Sequence, residues 1–175
     1  MMKVTKKKIV TWSPADTIPS DYAEAVGYAL QQWNLIEAQI ELICADVMVG
    51  TDRRVLRLML SQMSAQGKAK TLEGVAERYL SGAGREQARS LAKNVEKLSR
   101  KRNRLAHGFW CTRKGAPEEY GLYGVSGSVA NRLLPEVHPE TPTSIRRDGD
   151  DFREQYEAAK ELSRLVKKPS ATPRA

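Results

Sequence analysis

Residues 20–47 read SDYAEAVGYALQQWNLIEAQIELICADV, and their spacing decides the fold class. Val26, Ala29, Leu30, Trp33, Ile36, Ile40, Ile43, Cys44 and Val47 recur at steps of three and four, which places them on one helix face. Ser20 or Asp21 offers the short oxygen side chain that satisfies a free N–H at a helix start, and Gly50 supplies a stop. One helix is therefore expected over 20–49.

Further along the chain, Thr51 or Asp52 caps a second segment in which Val55, Leu56, Leu58, Met59, Leu60 and Met63 are so closely set that a helix deep in a bundle is expected, ending near Gly67. A third helix is expected over 68–80, with Leu72, Val75, Ala76, Tyr79 and Leu80 inward, until Ser81-Gly82-Ala83-Gly84 breaks it. The fourth covers 85–107, and Gly108 stands where a left-handed C-terminal residue is expected. Breaks this short favour antiparallel neighbours. The pattern then changes. Segments 108–112 and 120–129 are short and rich in aromatic or branched residues around Lys114-Gly115-Ala116-Pro117, which reads as a β-hairpin. Pro135, Pro139 and Pro142 make an irregular stretch, with a short strand expected at 143–146. Asp148-Gly149-Asp150-Asp151 opens a last helix whose inward residues are Phe152, Tyr156, Ala159, Leu162, Leu165 and Val166, and Pro169 ends it.

Towards the N-terminus, Lys6, Lys7, Lys8, Trp12, Pro14 and Pro19 read as a loose arm over 1–19. The expected architecture is mainly α, an up-and-down helical bundle of four to five helices with an appended small β-hairpin near 108–130. Residues 20–168 form the single domain, and 169–175 a disordered tail.

With 175 residues the chain can bury one core and is too short for two full domains, so one site is sought. Lys and Arg outnumber Asp and Glu by 29 to 21, and the resulting +8 favours an anionic partner such as nucleic acid. Cys44 and Cys111 have no paired spacing and are expected as buried free thiols in a cytoplasmic protein. The basic N-terminus lacks the apolar run of roughly 7–15 residues of a secretory signal, and no stretch approaches ~20 apolar residues, so no membrane partner is expected. There is no P-loop glycine pattern, zinc-ligand pair or Gly-x-Ser-x-Gly elbow, and no metal or cofactor is expected.

The fourth helix carries the candidate chemistry. Leu91, Val95, Leu98 and Leu105 define one stripe by steps of four, three and seven, and Arg102 fills the position missing from it. An arginine facing a protein contact needs a carboxylate, a phosphate or a polar interface, because burying an unpaired charge is costly. Glu37, in Trp33-Asn34-Leu35-Ile36-Glu37, is a structural partner for it. His107 ends the helix. Its side chain either caps the last carbonyls or exchanges protons near neutrality.

Arg102-Asn103-Arg104-Leu105-Ala106-His107, at the end of a helix in a small bundle, resembles the R-x4-6-H signature of the HEPN family in its R-N-x-x-x-H form. Together with the acidic residue after a tryptophan in the first helix, the resemblance covers about 21–110 and leaves out the hairpin and last helix. It implies a metal-independent endoribonuclease that acts as a homodimer, each chain lending its motif to a shared cleft. The family is often found in toxin or phage-defence settings, which adds an antitoxin or inhibitor protein as a further partner. In this reading His107 is the acid or base, and Arg102 holds the scissile phosphate and stabilises the charge that grows on it. Asn103, four residues before His107, orients the ring or binds phosphate, and Glu37 positions Arg102.

Five residues at 100° each separate Arg102 from His107 by about 140° on a regular helix. Convergence therefore requires a distorted last turn before Gly108, or a site composed across a two-fold axis. Between Arg85 and Lys114 stand ten bases against Glu86 and Glu96, an excess as large as that of the whole chain. Of these, Arg100, Lys101, Arg104, Arg113 and Lys114 are expected along an RNA track, as is Trp110 on the hairpin. Phe109, Trp110, Tyr120 and Tyr123 can stack on unpaired bases or form hairpin core. His138 has no assigned role. The alternative to a nuclease is a noncatalytic helical module that binds RNA, a nucleotide or a protein partner.

Overall fold

The computed structural model describes residues 10–48, 50, 52–123 and 137–167. Among them are five helices and four strands: β1 (Trp12–Pro14), α1 (Ser20–Val47), α2 (Arg53–Ser61), α3 (Ala65–Tyr79), α4 (Gly82–His107), β2 (Phe109–Arg113), β3 (Ala116–Tyr123), β4 (Val137–Glu140) and α5 (Pro142–Lys167). The chain is mainly helical, with a small antiparallel sheet appended to the bundle. No helix among the described residues is long and apolar enough to cross a membrane.

The α1 stripe builds the core. Trp33, Ile36, Ile40, Ile43 and Cys44 are fully buried, and removing each large side chain from water contributes about 1.5–3 kcal/mol. Burial also pushes the Cys44 thiol up to about 12, so it is a packing group rather than a nucleophile. Opposite α1, α5 presents Phe152, whose ring meets Trp33 edge-on at 5.1 Å. The two helices approach closely at Gly149, where a Cβ would stand 2.6 Å from the Tyr28 ring and 3.2 Å from the Ala29 Cα. From α4, Leu91, Val95, Leu98 and Leu105 enter the same core.

Several boundaries depart from the sequence reading. The expected strand at 143–146 is instead the first turn of α5, which starts six residues before Asp148. Thr141 and Ser144 exchange side-chain-to-backbone bonds of 3.0 and 2.9 Å, a reciprocal cap, and Pro142 follows at the first helical position, which lacks an N–H partner in any case. At the start of α1, Pro19 is the cap residue and no side chain caps it; Asp52 and Ser64 cap α2 and α3 through their side chains. α4 begins at Gly82, so Ala83 and Gly84 lie within its first turn rather than in a break.

α2 is not deep in the bundle. Only Leu56 and Leu60 are buried, while Val55, Leu58 and Met59 are more than half exposed, because the helix lies on the surface against α1 with one face inward. Gly108 is not left-handed either: its φ is −73° and ψ 149°. Crowding is what requires glycine there, since a Cβ would come within 2.4 Å of the Arg104 carbonyl oxygen.

The hairpin is the centre of a four-stranded antiparallel sheet in the order β1-β2-β3-β4. Gly115, at φ +84°, turns β2 into β3, and Trp110 pairs with Leu122. Part of the supposed loose arm is a strand, with Trp12 opposite Arg113, and the proline-rich stretch contributes β4, with His138 opposite Leu122. Residues 1–9, the end of the expected hairpin strand at 124–129 and the tail at 169–175 lie outside the described residues. Tyr22 of α1 anchors the sheet: its ring lies 5.6 Å from Trp110 and 5.0 Å from Tyr120, and its hydroxyl donates to the Glu140 carbonyl at 3.2 Å.

Candidate functional site

Arg102 occupies the stripe position between Leu98 and Leu105, and the bundle meets it with a notch of about 200 Å³ rather than with an apolar wall. Three elements close the notch: Glu37 from α1; Met63, Ser64, Ala65 and Gln66 at the entry to α3; and Ser99, Arg102 and Asn103 from α4. The start of α3 brings the positive end of a helix to this wall, which favours an anion. Ser64 Oγ accepts the Gly67 N–H at 3.1 Å, satisfying one free donor of that turn.

The Arg102 guanidinium is held loosely. Nη1 donates to Asn103 Oδ1 at 3.0 Å, Nη2 stands 4.0 Å from Glu37 Oε1, and the buried Nε has no hydrogen-bond partner among the described residues. A separation of 4.0 Å is beyond hydrogen bonding, whereas a committed Arg–carboxylate pair closes to about 2.7–2.9 Å. Glu37 is engaged elsewhere: Trp33 Nε1 donates to its Oε1, and Lys68 Nζ reaches its Oε2 at 2.6 Å. Lys68 also contacts Glu41 Oε1 at 2.8 Å and is itself only 4% exposed. Burial lowers the Lys68 pKa, and the hydrogen bonds it donates to Glu37 and Glu41 more than offset this, so it stands above its ordinary value.

The predicted RNA track divides. Lys101 reaches Asp148 at 2.6 Å and Asp151 at 2.9 Å, and Arg104 reaches Glu140 at 3.2 Å and Asp148 at 3.9 Å. These pairs tie α4 to β4 and α5 and face both bases with internal carboxylates, although Arg104 Nε, like Arg102 Nε, is buried without a hydrogen-bond partner among the described residues. Arg113 pairs with Glu119 across the hairpin at 2.6 Å, and Trp110 packs on Tyr22. Arg100 and Lys114 are exposed and form no ion pair with the described residues. Phe109 is 64% exposed, with Tyr123 as its aromatic neighbour at 6.5 Å.

His107 is exposed, does not line the notch, and makes no side-chain hydrogen bond among the described residues. The Gly108 N–H donates to the Arg104 carbonyl at 2.8 Å, the i to i−4 pattern of a regular α-helix. No distortion turns His107 towards Arg102, so the angular separation of about 140° and the rise of about 7.5 Å between them stand. The fold thus unites Arg102, Asn103 and Glu37 and leaves His107 apart within one chain. Sequence reasoning missed Lys68 and Glu41. The signal was present: Lys68 lies one turn before Leu72 on the inward stripe of α3, the same anomaly that singled out Arg102, and Glu41 follows Glu37 by four. Compared with family models, with curated proteins and with solved structures, the chain has no match.

Proposed function

We propose that the chain is a metal-independent endoribonuclease of the HEPN type, acting as a homodimer in which Arg102 of one protomer works with His107 of its partner. The observation that carries this reading is Arg102 itself: a guanidinium lining an open notch, with no carboxylate among the described residues closer than 4.0 Å. Its Nη2, which makes no hydrogen bond among the described residues, is a donor to spare for a phosphate, and the start of α3 adds a favourable dipole. RNA cleavage through its own 2′-hydroxyl needs no group that this pair lacks. The 2′-oxygen attacks phosphorus, the 5′-oxygen leaves, His107 moves the proton, and Arg102 stabilises the phosphorane charge. Because the two side chains lie on different sides of a regular helix, a two-fold partner is what completes the site. Asn103 steadies Arg102, while Arg100 and Lys114 extend the contact to neighbouring phosphates. A cytoplasmic toxin or phage-defence setting, with an antitoxin or inhibitor as partner, belongs to the same proposal.

The test is cleavage of mixed single-stranded and structured RNA in EDTA by the wild type, Arg102→Ala and His107→Ala. Products ending in 2′,3′-cyclic phosphate are expected from the wild type alone. Mixing the two inactive variants with subunit exchange should restore about a quarter of wild-type activity, since half the dimers are mixed and each has one intact site. Wild-type rates in either variant refute the assignment, and a mixture that exchanges subunits yet stays inactive refutes the shared site. The separation of His107 from the notch favours a second reading, a noncatalytic module that binds RNA through Arg102. A wild type that binds RNA and cuts none of it supports that alternative.

A further inference from the structure

We propose that Lys68 is a positioning residue for Arg102: by engaging Glu37 from the side away from the notch, it keeps that carboxylate from closing on the guanidinium and leaves Arg102 open to phosphate. This rests on the reading of Arg102 as a phosphate contact. Four charged side chains meet here, Glu37 and Glu41 against Lys68 and Arg102, and they balance as two and two. Their distances are unequal. Lys68 lies 2.6 and 2.8 Å from the two acids, while Arg102 stays 4.0 Å from the nearer one. The oxygen of Glu37 that faces Arg102 already accepts from Trp33 Nε1, and the other accepts from Lys68. A carboxylate supplied in this way gains little by drawing in a third donor. Without Lys68, two part-buried acids would have Arg102 as their only cation among the described residues, and the cost of an uncompensated buried charge would pull the guanidinium onto Glu37. Lys68 is 4% exposed and does not line the notch, so its effect on RNA passes through Glu37 and Arg102.

The distinguishing measurement is the salt dependence of binding, because each lost contact to a single-stranded phosphate lowers the slope of log K against log salt by about 0.7. The probe is a fluorescein-labelled 2′-O-methyl oligouridylate, which cannot be cleaved, and each full-length variant is first checked for native circular dichroism. Arg102→Ala should lose about 0.7 of slope. Lys68→Met should lose the same amount, and Lys68→Met/Glu37→Gln should regain the wild-type slope because the carboxylate that faces Arg102 is gone. A purely structural lysine would leave the slope unchanged and would not be rescued by removing its own partner. If Arg102→Ala loses slope and Lys68→Met does not, the role of Lys68 is overturned and the phosphate contact stands. If Arg102→Ala keeps the wild-type slope, the phosphate reading fails, and the role given to Lys68 fails with it. Should Lys68→Met not fold, Lys68→Met/Glu41→Gln takes its place: it leaves one acid instead of two without the lysine, keeps Glu37 free to capture Arg102 and should lower the slope in the same way, and a wild-type slope there overturns the proposal.

Discussion

Replacing Gly108 with alanine should destabilise the protein, although φ −73° and ψ 149° suit any residue. A Cβ at this position would lie 2.4 Å from the Arg104 carbonyl oxygen, 3.1 Å from Leu122 Cδ2 and 3.3 Å from the Tyr123 carbonyl oxygen. Two of these neighbours are backbone, and one of them already accepts the Gly108 N–H at 2.8 Å, so relief must come from moving the end of α4 against the sheet. Overpacking of this kind costs about 1–3 kcal/mol, and the lower entropy of alanine in the unfolded chain returns about 0.4–1 kcal/mol. Taking the middle of each range, the net loss is about 1.3 kcal/mol, which for a chain of this size lowers Tm by about 3–5 °C. Thermal unfolding followed by circular dichroism reads this directly. Gly108→Asn is the control, since asparagine is accepted at a left-handed helix end but is bulkier than alanine at a crowded one. A Tm for Gly108→Ala at or above that of the wild type, or a wild-type Tm for Gly108→Asn, would refute crowding as the reason for this glycine.

The one-sided burial of α2 predicts a contrast between two neighbouring leucines: Leu58→Gln, at a site 65% exposed, should change stability by no more than about 0.5 kcal/mol, whereas Leu60→Ala, at 1% exposed, should cost about 2–5 kcal/mol in urea unfolding. Equal losses would mean that α2 is covered on both faces. Alkaline pH should weaken the fold through Lys68 and Lys101. For each, burial lowers the pKa, but the hydrogen bonds it donates to its two acids outweigh that and hold it above the ordinary lysine value. A raised folded value means that the contribution is full below the unfolded pKa and is lost as pH rises through the folded one. The urea midpoint should therefore hold up to about pH 10 and fall above it, with Tyr22, raised chiefly by burial, acting in the same sense. A midpoint unchanged well above pH 10.5 would contradict the strength of these ion pairs.

Helix faces were legible because their cause is local. The 3.6-residue period of α1, α4 and α5 placed Trp33, Val95 and Phe152 in the core without reference to any neighbour. The same period exposed Arg102 as a charge on an apolar stripe, and applied to α3 it would have exposed Lys68. Local signals were misjudged at Pro142, where prolines read as irregular chain concealed a capped helix start. Depth and partnership were not legible. The apolar residues of α2 do not say how many neighbours will cover them, and β1 and β4 exist only through pairing with β2 and β3, one of them from about a hundred residues away.

The sequence by itself determined the helical class, the core faces and the anomalous arginine, since periodicity and charge are properties of the chain. Only the tertiary structure decided that Glu37 belongs to Lys68 and Trp33 more than to Arg102, that Lys101 and Arg104 are committed to Asp148 and Glu140, and that His107 stands apart from the notch. The reason is physical: a charged side chain takes whichever partners packing brings within about 3 Å, and Lys68, Asp148 and Glu140 come from elements distant in sequence from the groups they pair with.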